Sequence, residues 1–218
     1  MLVLTWNLFH GRSVPDAPRD QLAGFAAQLA GWEWDVALLQ EVPPWWPPEL
    51  GRVCAASART ALTSRNWVLP LSRWAARRRP DLVKSWGGGA NAILVRGETV
   101  TEHRVRGLRS RPERRVMHGV RLERGWWVCN LHAQAHREAW ARADVALAAR
   151  SAIEWSAGAP VVLGGDLNLR APVVPDFARA AGNSVDHVFV ATADVAAPGR
   201  TLPHGRLSDH APVLAHVA

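Results

Sequence analysis

The sequence predicts a single α/β domain spanning residues 1–218, and three observations support this fold class. Apolar segments of strand length outnumber segments with helical periodicity roughly two to one. No motif recurs with a period of about 20–50 residues, which argues against a repeat protein. The 218 residues, of which 48% are hydrophobic and 21% charged, have an ordinary globular composition, and no stretch has the composition of a linker.

The beginning of the chain predicts a strand, a helix and a second strand in succession. Residues Leu2–Trp6 form a short apolar run that is followed by turn residues. Residues Asp16–Trp32 carry apolar side chains at helical spacing, which predicts a helix packed on a sheet. Residues Asp35–Glu41 are apolar throughout their middle, as is typical of a strand buried on both faces.

A proline-rich segment, Pro43–Pro48, follows Glu41 almost directly. Its prolines remove backbone donors and restrict their neighbours, so we expect a stiff loop here rather than a strand or a helix interior. The loop contains Trp45 and Trp46, and two interpretations of them stay open. In the first, the indoles form a stacking platform for a base or an apolar part of a substrate. In the second, they pack into the core and make this segment a rigid corner.

The middle of the chain predicts one helix and four strands. Residues Trp67–Arg79 have an amphipathic pattern that ends at Pro80, and Trp86–Val95 begins as a glycine hinge and continues as a strand. The hinge does not fit a phosphate-binding loop, because neither a Gly-Lys-Ser/Thr sequence nor a helix follows it. Alternating apolar and polar residues predict three more strands, at Val100–Gly107, Arg115–Leu122 and Trp126–His132.

The end of the chain predicts one long helix and three strands. The helix is an alanine-rich segment, His136–Trp155. The three strands are predicted at Ala159–Gly165, Ser184–Val190 and Ala211–Val217.

The positive charge of the protein is concentrated in the middle of its sequence. Residues Arg52–Arg124 contain 17 Lys and Arg against 5 Asp and Glu, whereas the rest of the chain contains 9 against 14. Of the 26 cationic residues only Lys84 is a lysine, and the planar fork of arginine suits phosphate. The pattern indicates a polyanionic partner such as nucleic acid, although an arginine excess can also reflect genomic base composition.

The sequence also predicts where the protein resides and what it lacks. No basic leader with an apolar core begins the chain, and no run of about 18 apolar residues occurs. We therefore expect a soluble, cytoplasmic monomer without integral membrane association. Two cysteines, Cys54 and Cys129, are too few for a disulfide scaffold or a four-thiolate zinc site.

Polar side chains stand at the ends of six apolar strands. Asp166 and Asn168 follow the apolar run that begins at Val161, and because they are two residues apart they point to the same side of a strand end. The other strand-end residues are Asn7, Glu41, His132, Asp186, Asp209 and His210. Such a collection of carboxylates, amides and imidazoles is what a single convergent site requires.

These residues lie in motifs that resemble those of the endonuclease/exonuclease/phosphatase superfamily of DNase I-like phosphoesterases. The motifs are Thr-Trp-Asn7, Gln-Glu41-Val, Asn-Leu-His132, Gly-Asp166-Leu-Asn168, Asp186-His-Val-Phe-Val and Ser-Asp209-His210-Ala-Pro-Val. They occur in the superfamily's order from Thr5 to Val213. The resemblance implies a four-layer α/β sandwich, with two mixed β-sheets packed face to face and helices outside. It also implies Mg²⁺-dependent phosphoester hydrolysis, with Mn²⁺ as a possible substitute.

The resemblance assigns the metal to one group of residues. Glu41 is the principal ligand, helped by Asn7 and Asp209. Hard divalent cations prefer such carboxylate and amide oxygens.

The resemblance assigns the remaining residues to the phosphate and the attacking water. Asp166 orients or deprotonates the water, Asn168 donates to the phosphate, and His132 donates to a non-bridging oxygen. His210 lies close to the scissile phosphate while Asp186 fixes its ring. A carboxylate behind a histidine holds the tautomer and stabilises the charged form.

The chain also departs from parts of the superfamily pattern. Abasic-site endonucleases have an acid where this chain has Phe9, and several nuclease branches use a tyrosine, which this protein lacks entirely. A zinc site at His132 and His136 is disfavoured, because His132 ends a strand and the Glu of His-Glu-x-x-His is missing.

The leading hypothesis is a nuclease that cuts DNA or RNA with little sequence specificity. A phosphomonoesterase or a sphingomyelinase-like phospholipid phosphodiesterase with the same site is the alternative, in which Trp45 and Trp46 meet the apolar part of the substrate. A catalytically silent nucleic-acid-binding module is the third. His204 and Arg206 are further candidates for substrate contact, unless they are simply polar surface residues.

Overall fold

The computed structural model describes residues 1–17, 19–63 and 89–218, and the strands in these ranges form two six-stranded sheets. The first sheet has the strand order β11-β12-β1-β2-β4-β3 and contains β1 (Leu2–Asn7), β2 (Val36–Val42), β3 (Ala56–Leu62), β4 (Ala90–Arg96), β11 (Val195–Thr201) and β12 (Val213–Val217). The second sheet has the order β5-β6-β7-β8-β10-β9 and contains β5 (Val100–Arg109), β6 (Arg115–Leu122), β7 (Trp127–His132), β8 (Val161–Asp166), β9 (Ala178–Asn183) and β10 (Asp186–Ala191). The α-helices of these ranges are α1 (Leu22–Gly31), α2 (Pro47–Val53) and α3 (Glu138–Ser156).

Three apolar clusters stack these elements into four layers. Residues such as Val3 and Leu38 of the first sheet meet Val162 and Val188 of the second sheet between the two sheets. Alternate residues of the first sheet face α1 and α2 on the outside, and alternate residues of the second sheet face α3. The four-layer sandwich that the resemblance implied is therefore confirmed.

Both sheets are mixed, and each contains a parallel pair of strands near its centre. Strands β1 and β2 run parallel with Asn7 opposite Gln40, and β7 and β8 run parallel with His132 opposite Asp166. Strand β10 is antiparallel to β8, which places its first residue, Asp186, opposite Asp166. The carboxyl ends of four strands and the start of a fifth therefore lie at one edge of the sandwich.

A buried polar link joins the two sheets directly behind this edge. Gln40 donates from Nε2 to Oδ1 of Asn130 over 2.8 Å, and Nδ2 of Asn130 donates to the carbonyl of Leu39 over 2.9 Å. Both side chains are fully buried. Because buried amides that are hydrogen-bonded across a sheet interface restrict sliding, this link fixes the two halves of the edge against each other.

Some elements differ from the sequence expectations. Strands β3, β9 and β11 were not predicted, because their small and polar residues have weak strand propensity and their pairing comes from neighbouring strands. Helix α2 begins at Pro47 inside the proline-rich segment, which is possible because the first helical position needs no backbone donor. The predicted helix Trp67–Arg79 and the beginning of the glycine hinge, 86–88, lie outside the described residues. None of the helices in the described ranges is long and apolar enough to span a membrane.

Candidate active site

Asp166 lies at the centre of the strand-end cluster, and both of its carboxylate oxygens are held. Nδ2 of Asn7 donates to Oδ2 over 2.9 Å, and the backbone N–H of Asn168 donates to Oδ1 over 3.0 Å. The residue is only 2% exposed, and this burial raises the pKa of the Asp166 carboxyl, opposed by the charge of His210. The fixed carboxylate is suited to orienting a small polar molecule.

A glycine makes the close approach of Asp166 and His132 possible. Gly165 has φ +140°, and a Cβ there would collide with the backbone carbonyl of Leu131 on the adjacent strand. His132 follows Leu131, and its Nε2 lies 3.5 Å from Oδ2 of Asp166. Burial lowers the pKa of His132 well below its usual value, so the ring is neutral at pH 7.

His210 and Asp186 form a close ion pair at the centre of the site. Nδ1 of His210 lies 2.7 Å from Oδ2 of Asp186, while Nε2 lies 3.9 Å from both Oδ2 of Asp166 and Oδ1 of Asp209. Burial lowers the pKa of His210, but the hydrogen bond to Asp186 and the three carboxylate charges raise it to about 9. For the carboxyl of Asp186, burial has the opposite effect and raises the pKa to about 6, although the hydrogen bond with His210 opposes this rise. The imidazole is therefore a cation at neutral pH.

Glu41 is directed into the site by an irregularity in β2. The pairing of β2 with β4 shifts register between Leu39 and Val42, and Glu41 takes the left-handed conformation with φ +50°. Its Oε1 lies 3.9 Å from Nδ1 of His132, and its Oε2 lies 3.2 Å from Nε2 of His10. Burial, followed by the charge of Asp166, raises the pKa of Glu41 to about 7.

The two asparagines have defined orientations. Oδ1 of Asn7 accepts the backbone N–H of Phe9 over 2.9 Å, which assigns its Nδ2 to Asp166. Nδ2 of Asn168 donates to the carbonyl of Ala133 over 3.0 Å, and the second hydrogen of that amide is available to a substrate. The predicted roles of Asn7 at the metal and Asn168 at the phosphate stay predictions.

Asp209 and His210 are placed by a buried serine that the sequence analysis did not single out. Ser208, with φ +63°, donates from its hydroxyl to the carbonyl of Asn7 over 2.7 Å, and that hydroxyl accepts the N–H of His210 over 3.1 Å. This arrangement ties the Ser-Asp-His segment to the end of β1. The side chain of Asp209 is 46% exposed at the mouth of the site.

Arg115 is a second residue that sequence reasoning missed. It begins β6, is 8% exposed, and donates from Nη2 to Oε2 of Glu113 over 2.7 Å. Its positive charge lowers the pKa values of Glu41 and Asp166, so the guanidinium lies within electrostatic range of both carboxylates. The available signal was an arginine at the first position of a strand that is mostly buried.

The structure corrects one predicted substrate contact. Trp46 is 2% exposed and packs against Phe25, with ring centroids 5.5 Å apart, so its indole cannot stack on a substrate. The rigid-corner interpretation is the one that this burial favours. Trp45 packs against the same apolar cluster while remaining half-buried, and its role in substrate binding stays a prediction.

His204 and Arg206 lie in the loop that leads to the Ser-Asp-His segment. Nδ1 of His204 is 2.6 Å from the carbonyl of Leu207, whereas the side chain of Arg206 is exposed. Their contact with substrate stays a prediction.

The donor set of the site fits a divalent cation. Asp166, Asp186 and His210 have candidate ligand atoms within 4.8 Å of one another, but His210 carries a proton at neutral pH and is paired with Asp186. The carboxylates of Glu41 and Asp209 are more exposed and are the donors open to an ion. Buried carboxylates with raised pKa values are stabilised when a cation neutralises them. Oxygen donors dominate the set, which suits Mg²⁺ or Mn²⁺ better than a thiolate-seeking metal.

Comparisons with known proteins agree with this geometry. The family model described as "Endonuclease/Exonuclease/phosphatase family" matches residues 4–210. No curated protein sequence matches the chain.

Three solved structures show the same fold at low sequence identity. An endonuclease/exonuclease/phosphatase protein from Beutenbergia cavernae DSM 12333 is 21% identical with a TM-score of 0.75, covering 100% of this chain and 71% of that one. TDP2 from Caenorhabditis elegans is 18% identical with a TM-score of 0.69, covering 99% and 73%. A mannosyl-6-phosphatase from Bacteroides thetaiotaomicron VPI-5482 is 14% identical with a TM-score of 0.70, covering 100% and 99%.

Proposed function

Because the chain belongs to the endonuclease/exonuclease/phosphatase family, whose hydrolases act on phosphoester bonds, we propose that it is a Mg²⁺-dependent phosphodiesterase acting on nucleic acid with little sequence specificity. The observation that carries the proposal is the convergence of Glu41, Asp166 and the Asp186–His210 pair at one edge of the sandwich. The proposal also states that residues 1–218 act as one domain and that the protein is a monomer.

The protonation states divide the catalytic work between Asp166 and His210. With a pKa of about 9, His210 already carries its proton at pH 7 and cannot accept another from water. The base role therefore falls to Asp166, whose fixed carboxylate orients the attacking water and takes its proton. As the water oxygen bonds to phosphorus, the bond from phosphorus to the leaving ester oxygen breaks, and that oxygen takes a proton from solvent. The His210 cation stabilises the negative charge that develops on the phosphate, and Asp186 holds its ring.

Two neutral side chains complete the phosphate site. His132 is uncharged, so one of its ring nitrogens carries a hydrogen that donates to a non-bridging oxygen. The free amide hydrogen of Asn168 donates to the same phosphate.

Glu41, with Asp209 and Asn7, would hold the metal. When bound, the cation polarises the phosphoryl oxygens and neutralises their charge. The exposed carboxylate of Asp209 and the partly exposed carboxylate of Glu41 leave this side of the site open to a hydrated ion.

A basic hairpin beside the site supports a polyanionic substrate. Strands β5 and β6 pair antiparallel with Arg109 opposite Arg115, so their connection lies at the edge that holds the site. Arg106 and Arg111 of this hairpin are exposed. Such arginines provide contacts to a phosphate backbone that do not depend on sequence. Residues 64–88 of the basic region lie outside the described part of the chain.

The test is a timed digestion of labelled single-stranded DNA, double-stranded DNA, RNA and an abasic duplex with Mg²⁺ or with EDTA. Glu41→Gln is the inactive variant, and Glu138→Gln, an exposed glutamate on α3 paired with Arg142, is the matched control. We expect Mg²⁺-dependent cutting by the wild type and the control but not by Glu41→Gln.

Parallel reactions with p-nitrophenyl phosphate and sphingomyelin vesicles test the alternative substrates. If these are hydrolysed in a Glu41-dependent way while every nucleic acid stays intact, the catalytic site is supported and the nucleic-acid substrate is rejected. Binding of nucleic acid without any hydrolysis would instead show a silent binding module.

A further inference from the structure

An unfavourable backbone turn follows Asn7. Phe9, His10 and Gly11 take consecutive left-handed conformations, with φ of +48°, +54° and +79°. The left-handed region is natural for glycine but costs free energy for phenylalanine and histidine. Such strain persists only where the surrounding structure determines it, and it is concentrated at functional sites.

The turn is held from two directions. The N–H of Leu8 donates to the carbonyl of Gln40 over 2.9 Å, and the N–H of Phe9 donates to Oδ1 of Asn7. On the outside, the ring of Trp46 covers Gly11 so closely that a Cβ at this glycine would overlap the indole. The buried corner after Glu41 therefore holds the turn after β1 in place.

The result of this mutual packing is the contact between His10 and Glu41. Nε2 of His10 lies 3.2 Å from Oε2 of Glu41, and both side chains are about four-fifths buried, with exposures of 20% and 22%. The other carboxylate oxygen, Oε1, lies on the side of His132, 3.9 Å from its Nδ1. One oxygen of Glu41 is thus engaged by His10 while the other faces the interior of the site.

We propose that His10 is a positioning residue of the metal site, whose Nε2 pairs with Oε2 of Glu41 so that Oε1 is presented to the cation. The inference rests on the proposed function, because it takes Glu41 to be a metal ligand. Metal-ligating carboxylates are commonly held by a hydrogen-bond donor, and loss of such a donor typically weakens metal affinity about 10–100-fold.

Two substitutions separate the imidazole from the backbone turn. His10→Asn keeps a residue that tolerates the left-handed conformation, but its amide is too short to replace Nε2. His10→Gln restores an N–H donor at nearly the original reach. His216→Asn is the matched control, since His216 is exposed near the opposite end of the first sheet, on β12.

The measurement is calorimetric titration of the full chain with Mn²⁺ alone, together with thermal unfolding without metal. We expect His10→Asn to raise the Mn²⁺ dissociation constant about 10–100-fold, His10→Gln to recover most of this loss, and His216→Asn to bind like the wild type. The unfolding midpoint of His10→Asn should stay at or above that of the wild type, because asparagine adopts the turn more readily.

Turnover provides a second readout. Raising the Mn²⁺ concentration should restore the kcat of His10→Asn to within about twofold of the wild type, because a positioning residue acts on the ligand and not on the phosphate. A kcat that stays low at saturating Mn²⁺ would overturn the assignment.

The outcomes distinguish this inference from the function on which it rests. If Glu41→Gln loses Mn²⁺ binding while His10→Asn binds like the wild type, the role of His10 is rejected and the metal site stands. If Glu41→Gln binds Mn²⁺ like the wild type, Glu41 is not a ligand, and both the metal assignment and the role of His10 are overturned.

Discussion

The two sides of the site differ in burial and in the way their side chains are held. The buried side comes from the second sheet and consists of His132, Asp166 and Asp186, whose side chains are 5%, 3% and 2% exposed. The open side comes from the first sheet and consists of Glu41 on β2, His10 after β1 and Asp209 before β12, whose side chains are 22%, 20% and 46% exposed. His210 lies between them, with Asp186 on Nδ1 and both Asp166 and Asp209 near Nε2.

This difference indicates a division of labour between the sheets. Buried side chains keep one orientation and act in a setting from which bulk water is excluded, which suits the positioning of a water molecule and the stabilisation of charge. Carboxylates that reach the mouth of the site, as the partly exposed Glu41 and the exposed Asp209 do, suit a cation that keeps part of its water shell. We therefore expect substitutions on the two sides to fail in different ways.

The largest expected effect comes from removing one carboxylate on each side. Glu41→Gln and Asp166→Asn should each reduce kcat/KM about 10³-fold or more, because each removes a group that acts in the transition state. Mn²⁺ titration should separate them, with binding lost in Glu41→Gln and largely retained in Asp166→Asn.

Stability provides the control for that comparison. Folding raises the pKa of Glu41 from 4.5 to about 7, so its ionised form is disfavoured in the native state and destabilises it as the pH rises through this range. At pH 8 without metal, Glu41→Gln should unfold at a higher temperature than the wild type. A variant that is inactive and also less stable would indicate a structural defect instead.

The next largest effect should follow from Asp186→Asn on the buried side. The substitution removes the Asp186 charge that raises the pKa of His210, while the burial that lowers it and the charges of Asp166 and Asp209 that raise it remain. The pKa of His210 should fall from about 9 into the range where the imidazole loses its proton at pH 8, and kcat at pH 8 should fall about 10²-fold.

Nuclear magnetic resonance of the His210 ring proton as a function of pH measures this shift directly. A pKa that remains above 8 in Asp186→Asn would show that Asp166 and Asp209 alone maintain the charge. The assignment of Asp186 as the group that holds the cation would then be wrong.

On the open side, lowering the pH should weaken metal binding, and this effect should be smaller than those of the substitutions above. The ionised form of Glu41 is the ligand, and its pKa is about 7, so protons compete with the metal below that pH. Mn²⁺ affinity should fall about tenfold for each pH unit below 7 and level off above it. A flat profile between pH 5.5 and 8 in calorimetric titrations would contradict this assignment.

The sequence predicted the strand-end residues because their signal is local. A buried strand is apolar until it ends, so Glu41 and Asp166 stand out after Val36–Leu39 and Val161–Leu163. The parallel pairing of β1 with β2 and of β7 with β8 then brings these ends together. The order of the sandwich layers came from the resemblance, since periodicity alone does not pair distant strands.

Other features depended on contacts that no local pattern records. The burial of Trp46 depends on Gly11 and Phe25, which are distant in sequence, and the proximity of Arg115 to Glu41 depends on the packing of the two sheets. Strands β3 and β9 have small residues, and they exist because β4 and β10 offer them free edges. These elements required the tertiary structure.

The smallest expected effect concerns the route of the substrate to the buried side. Arg106→Ser and Arg111→Ser on the β5–β6 hairpin should each lower kcat/KM on DNA or RNA about two- to tenfold at low salt. Each should also reduce the slope of log(kcat/KM) against log salt concentration by about one. Arg150→Ser on α3, another exposed arginine, is the matched control for the change in net charge. Hydrolysis of bis-p-nitrophenyl phosphate should be unchanged in all three variants, because this small diester does not reach the hairpin. Equal losses at Arg150 and Arg106 would show that net charge matters and position does not, whereas losses confined to the hairpin would indicate that the nucleic acid approaches over the edge of the second sheet.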